Sequence, residues 1–265
     1  SVLSFYACSS SDDSMVTPLT RSDAVSEKIV FQDDFNQTDS IPDKTKWGLC
    51  KKGSPAWSKY LSESYDQAYV HDGKLVLIAE KVNGVYKTGG VQSLGKAEFQ
   101  YGKIEICARF TKTAKGGWPA IWMMPAKPVY SGWPACGEID IMEQLNHDGI
   151  VYQTIHSHYK NDLGFTKPVP TKTVHYNKGQ FNVFGIEWTP ESLTFKVNGA
   201  TTLVYPNLHL ADESVKKQWP FDTSFYLILN YALGGAGTWP GTITDSELPA
   251  KMEIDWVKVS QPVDR

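Results

Sequence analysis

The chain has 265 residues, 41% of them hydrophobic, and a formal net charge of −3. That length can bury a large core in one β-rich domain, and the near-neutral charge leaves no basic footprint for nucleic acid. The four cysteines, Cys8, Cys50, Cys107 and Cys136, lack metal-ligand spacing, which argues against zinc and favours free thiols.

The chain begins SVLSFYACSSSDDS. The apolar run before Cys8 is too short to span a bilayer and reads as the end of a secretion signal. Small and apolar residues, then Cys8, then a Ser/Asp tether resemble a bacterial lipobox; the plain alternative is a frayed tail. On the lipobox reading Cys8 carries lipid, and the protein is exported as a cell-surface or periplasmic lipoprotein. That anchor would be its only membrane contact. Residues up to about Ser26 are polar and aperiodic, as in a disordered linker. Residues 1–26 are therefore set apart from a domain over 27–265.

Short strand signals then recur, separated by turn residues. KLVLIAEK follows the Asp72-Gly73 turn. GKIEICARF alternates Ile104, Ile106 and Ala108 against Glu105, Cys107 and Arg109. FNVFGIEW and SLTFKV follow, and Asn198-Gly199 closes a hairpin into TTLVY. SFYLILNYAL and KMEIDWVKV complete the set. Only LADESVKKQW has room for a helical turn. Many antiparallel strands and few helices predict an all-β sandwich of two stacked sheets.

GEIDIMEQ, from Gly137 to Gln144, sets three carboxylates in an apolar run. In a regular strand Glu138 and Asp140 share a face and Glu143 takes the other. Asp148-Gly149 reads as a two-residue turn. Counting back from it pairs Glu143 with Thr154, on the face of His156 and His158. A β-bulge at Ile141-Met142, where two residues oppose one, then puts Asp140 opposite His156 and Glu138 opposite His158. All three acids now share a face, and Ile139 and Ile141 still point inward. Clustered acids repel, which raises at least one pKa, and a general acid needs that near neutral pH. A bare ExDxxE pattern is usually a solvated edge. Here the acids interrupt Ile, Ile and Met beside a Trp-Pro-rich segment.

In that setting the chain resembles glycoside hydrolase family 16. The carriers are GEIDIME, GGWPAIWMMP, YGKIEICARF, GGAGTWPG and MEIDWVKV, spread over about Phe31 to Val259. The acid motif has the longer, bulged form of laminarinase-like branches. The resemblance implies a β-jelly roll, concanavalin-like, with a concave glycan cleft and retaining endo-hydrolysis of β-linked polysaccharides. Position by position, it implies Glu138 as nucleophile, Asp140 as its assisting carboxylate and Glu143 as acid/base. Cys107 departs from the pattern, since a basic residue is common there. No cofactor is implied for catalysis. Family members often bind a structural Ca²⁺ through an Asp of the last strand. Asp255 holds that place, with backbone carbonyls near Asp33 and Gly73 to complete the site.

Tryptophans in Gly/Pro-rich segments are candidates for stacking on sugar rings: Trp118, Trp133 and Trp239, with Trp57 weaker and Trp122 divided between cleft and core. His156 and His158 share the predicted acidic face and are candidate substrate contacts. His71, His147, His175 and His209 have no such context. The expected partner is a polysaccharide or glycan chain, and the chain is expected to act as a monomer. The leading activity is an endo-β-glucanase on β-1,3 or mixed β-1,3/1,4 glucan. The alternatives are an endo-β-1,4-galactosidase on keratan or mucin-type poly-N-acetyllactosamine, and a non-catalytic glycan-binding jelly roll. The intact acid set argues against the last.

Overall fold

The computed structural model describes residues 26–212 and 218–263. The lipobox reading of Cys8, and the middle of the helical turn expected in LADESVKKQW, lie outside the described residues. Sixteen strands among the described residues form two antiparallel sheets. One runs in the order Ala200–Pro206 (β14), Ser192–Val197 (β13), Asn182–Trp188 (β12), Gly102–Lys112 (β7), Ala250–Pro262 (β16), Lys74–Val82 (β4) and Ala68–His71 (β3). Glu27–Asp33 (β1) pairs β16, and Val85–Thr88 (β5) pairs β4. The other runs Thr171–His175 (β11), Ile150–His156 (β10), Glu138–Gln144 (β9), Gly117–Pro125 (β8), Phe225–Leu233 (β15), Gly90–Gln92 (β6) and Gly48–Leu49 (β2). This is the two-sheet jelly-roll sandwich that the strand pattern and the family resemblance led us to expect.

Alternation explains the layering. Ile104, Ile106 and Ala108 of β7 are fully buried against Ile139, Ile155, Leu227 and Leu229 of the facing sheet. Each of these isoleucines and leucines is worth about 1.5–3 kcal/mol in burial. Asn198 and Gly199 take φ of 50° and 81° between β13 and β14, the left-handed pair a tight hairpin needs. Asp72 and Gly73 do the same between β3 and β4, at 51° and 69°. Cys50, Cys107 and Cys136 are free and buried, as composition led us to expect.

One expectation fails on β16. Asp255 was placed on the apolar face of Val257 and Val259. The pairing with β7 shifts between Ile254 and Trp256, so Asp255 is the extra residue of a bulge. Met252 and Ile254 before it, and Val257 and Val259 after it, all reach the core. Asp255 is only partly buried. It belongs to no group of three or more His, Cys, Asp or Glu among the described residues. A calcium ion there would take its further oxygens from backbone carbonyls near Asp33 and Gly73 and not from neighbouring carboxylates.

Candidate active site

Gly137 leads the chain into β9 at φ +88°, and a Cβ there would lie 2.9 Å from Pro220. The strand then carries the expected bulge. On the β8 side Ile121 opposes Met142 and Trp122 opposes Asp140, which leaves Ile141 over. On the β10 side the shift falls at Gln153. Ile141 and Met142 are consecutive yet both fully buried, so the inward–outward count slips by one and Glu143 emerges on the face of Glu138. The register itself is two residues from the expected one: Glu143 pairs Tyr152, Asp140 pairs Thr154 and Glu138 pairs His156. Asp148-Gly149 is not the turn. Asn146 takes the positive φ, 55°, and Gln144 donates to the carbonyls of Leu145, Asn146 and Asp148 at 3.0–3.2 Å. The connection is therefore longer. A two-residue error preserves parity, which is why the face was right and the partners were wrong.

Each outer acid has an indole donor. Trp118 Nε1–H donates to Glu143 Oε1 at 3.1 Å, and Trp133 Nε1–H donates to Glu138 Oε1 at 3.0 Å. Asp140 is buried between them, and His156 Nε2 lies 3.1 Å from its Oδ2 and 3.6 Å from Glu138 Oε2. The other ring nitrogen of His156 meets Asn161 and Lys160. Ser157 N–H donates to Asn161 Oδ1 at 3.2 Å, so the Asn161 amide nitrogen faces His156 Nδ1 at 3.0 Å. Lys160 Nζ stands 3.4 Å from the same Nδ1. The Asn161 amide oxygen is also 3.3 Å from Nδ1, so Nδ1 meets both ends of that amide while Nε2 faces the acids. Glu138, Asp140 and His156 offer ligand atoms within 4.8 Å of one another. Burial holds Glu138 and Asp140 toward their protonated forms, and protonated carboxyls are poor metal ligands, so the set reads as a proton network.

Burial raises all three acids. Burial, then the charge of Asp140, holds Glu138 well above the ordinary range, opposed by His156 and the Trp133 N–H. Burial and the charge of Glu143 raise Asp140 well above its usual value. Burial and the charge of Glu138 lift Glu143 to about 8, with the Trp118 N–H pulling the other way. Burial lowers His156, which keeps it neutral, and lowers Lys160 against the pull of the three carboxylates. Trp118→Phe removes a donor that holds Glu143 down. The alkaline limb of kcat/KM is expected to move up by roughly half a unit to one unit; a limb that stays put would separate the indole from the titration.

The acids open into a cleft of about 710 Å³, in the range of ligand sites. Trp118, Trp122, Trp133, Trp239, His156 and the weaker candidate Trp57 all line it. Trp133 and Trp239 are 56% and 50% exposed, unusual for indoles without a binding role. Trp239 packs edge-on to Trp118 at 6.0 Å and to Tyr152 at 4.8 Å. Trp122 serves both cleft and core: it donates to Asn230 at 2.8 Å and meets Trp57 edge-on at 4.8 Å. His158 is a correction. The strand ends at His156, and His158 starts a π-helical turn, His158–Asp162, where it bonds Asp162 Oδ2 at 2.7 Å. It does not line the cleft.

That turn instead delivers Lys160, whose backbone N–H is held by Ser157 Oγ at 3.1 Å. Lys160, Tyr152, Thr154, Thr171 and Asn230 line the cleft and escaped the sequence reading. Only Tyr152 and Thr154 carried a signal, their period-two spacing with His156.

Comparison with known proteins agrees with this geometry. The family model for glycosyl hydrolases family 16 matches residues 57–258. A keratan-sulfate endo-1,4-beta-galactosidase of Sphingobacterium multivorum is 40% identical over 88% of this chain and 54% of its own length, so the chain spans about half of that relative. A beta-glucanase of Rhodothermus marinus is 33% identical, over 88% of this chain and 84% of its own. A solved structure from the endo-acting O-glycanases that human gut microbiota express to initiate mucin breakdown superposes with a TM-score of 0.79. It is 38% identical and covers 89% of this chain and 100% of its own. With the family model matched across most of the domain, and the bulged acid strand standing at the floor of its cleft, this chain belongs to glycosyl hydrolase family 16.

Proposed function

We propose that this chain is a retaining endo-β-glycosidase and that its substrate is a β-1,4-galactosidic chain of keratan or mucin type. The observation that carries the activity is the placement of Glu138 and Glu143 on one face of one strand, each with its own indole donor. Glu143, protonated up to about pH 8, gives its proton to the glycosidic oxygen while Glu138 attacks the anomeric carbon. The leaving sugar departs with that proton, and a covalent glycosyl-enzyme forms. Glu143, now ionised, takes a proton from water, which attacks the same carbon and frees Glu138. Asp140 and Glu138 share a hydrogen bond. That bond raises Glu138 and lowers Asp140, so the shared proton rests on Glu138 and must pass to Asp140 before Glu138 can attack as the anion.

Substrate preference rests on likeness. The galactosidase and the mucin O-glycanase are 40% and 38% identical to this chain, against 33% for the beta-glucanase. Product analysis on keratan, mucin glycans, laminarin, barley β-glucan and agarose decides it. We expect oligosaccharides with galactose at the new reducing end from keratan or mucin glycans. Products from laminarin or barley β-glucan alone would restore the glucanase reading. The first residues support export as a lipoprotein through Cys8; palmitate labelling that survives Cys8→Ser would sink that idea.

A further inference from the structure

The bulge that aligns the acids leaves a backbone carbonyl in the core, and Gln153 reaches it. Gln153 is fully buried on the inward face of β10. Its Nε2 donates to Ile141 O at 3.1 Å and approaches Lys196 O, on the opposite sheet, at 3.4 Å. Its Oε1 accepts from the Thr202 hydroxyl. Lys196 and Thr202 flank a second irregularity: Phe195 pairs Leu203 and Lys196 pairs Thr201, so Thr202 is an extra residue in β14. The amide of Gln153 thus joins two bulges, one in each sheet, through the middle of the sandwich.

We infer that Gln153 is a positioning residue for catalysis: by holding the Ile141 carbonyl it fixes the bulge, and the bulge fixes the angle at which Glu143 faces Glu138. The physical ground is the cost of an unpaired buried carbonyl, about 1–3 kcal/mol. Without Gln153, β9 relieves that cost by shifting, and the residue after the bulge is Glu143. Plain core packing would require only an apolar side chain of the same length.

The proposal rests on Glu143 as acid/base, and its test keeps the two apart. Gln153→Met preserves volume and removes all three hydrogen bonds. Val151→Ala, a core change on the same strand and face, is the control for lost stability. On keratan, Gln153→Met is expected to lower kcat about 100-fold, the scale of a small misplacement of a catalytic group, with KM within about twofold. Val151→Ala is expected to leave kcat unchanged at a similar fall in Tm. A ¹³C NMR titration of the glutamate carboxyls needs no substrate. The resonance that titrates near 8 in the wild type is expected to shift by at least one unit in Gln153→Met alone. Should Gln153→Met fail to fold, Thr202→Val loosens the same anchor and is expected to lower kcat at least threefold at constant KM. Equal kcat and an unmoved titration in either folded variant, relative to Val151→Ala, overturn the proposal. Wild-type inactivity on keratan would count against the substrate instead and leave the titration to judge Gln153.

Discussion

Glu138→Gln is expected to lower kcat by about 10⁵-fold, the order seen when a nucleophile is removed from an otherwise intact site. KM should change little, because the indoles and the cleft floor remain. Glu143→Ala is expected to be milder on an aryl glycoside, whose leaving group needs little protonation. On a natural glycan it should cost about 10²–10⁴-fold, the usual worth of general acid catalysis. Azide distinguishes the roles. In Glu143→Ala it attacks the glycosyl-enzyme from the face vacated by the glutamate and gives a β-glycosyl azide. In Glu138→Ala it takes the nucleophile's place and gives the α-azide. The opposite pairing of products would exchange the two assignments. Unchanged hydrolysis in Glu138→Gln would remove the site altogether.

The same acids make stability depend on pH with an unusual sign. Burial lifts Glu143 to about 8, whereas an unfolded glutamate titrates near about 4.3. Between those values the folded chain holds a proton that the unfolded chain releases. The contribution to stability is therefore fully present below the unfolded value and is lost as pH rises through about 8. Glu138 and Asp140 are also raised by burial and push the same way. Each unit is worth about 1.4 kcal/mol, so the total loss is on the order of a few kcal/mol. Glu143→Gln cannot ionise and escapes its share. The variant is expected to melt close to the wild type at pH 4 and at least about 5 °C above it at pH 8.5. Parallel melting curves across that range would show that Glu143 is not held protonated. The catalytic acid is thus bought with stability at neutral pH.

Much of this was legible in the residues. Alternating Ile104, Ile106 and Ala108, and the Asn-Gly and Asp-Gly hairpins, marked the strands because period and turn chemistry are local. The bulge was legible because three acids and two buried isoleucines cannot otherwise share one strand. The register was not. Asp148-Gly149 carries the stronger turn signal, yet Gln144 clamps the chain around Asn146 through hydrogen bonds that no local pattern announces. His158 was misplaced because the strand yields to a π-helical turn after His156. Asp255 was misplaced because a bulge of its own reverses the parity of β16. Lys160 and Asn230 reach the cleft through tertiary placement alone, and a single lysine or asparagine has no spacing to read.

Glu138 and Glu143 both belong to β9, and no hinge, loop or subunit boundary lies between them. Their separation is a matter of chain counting: five residues, one of them spent in the bulge. The rim is built otherwise. Trp57, Trp133, Lys160 and Trp239 come from four different connections outside the strands. Rim residues can therefore be exchanged, lengthened or deleted to suit another sugar while the spacing of the two glutamates stays put. Removing Ile141 or Met142 would take out the extra residue of the bulge and leave strict alternation, in which Glu138, Asp140 and the second glutamate still share one face. The bulge therefore changes the reach between the two glutamates and not the face they share.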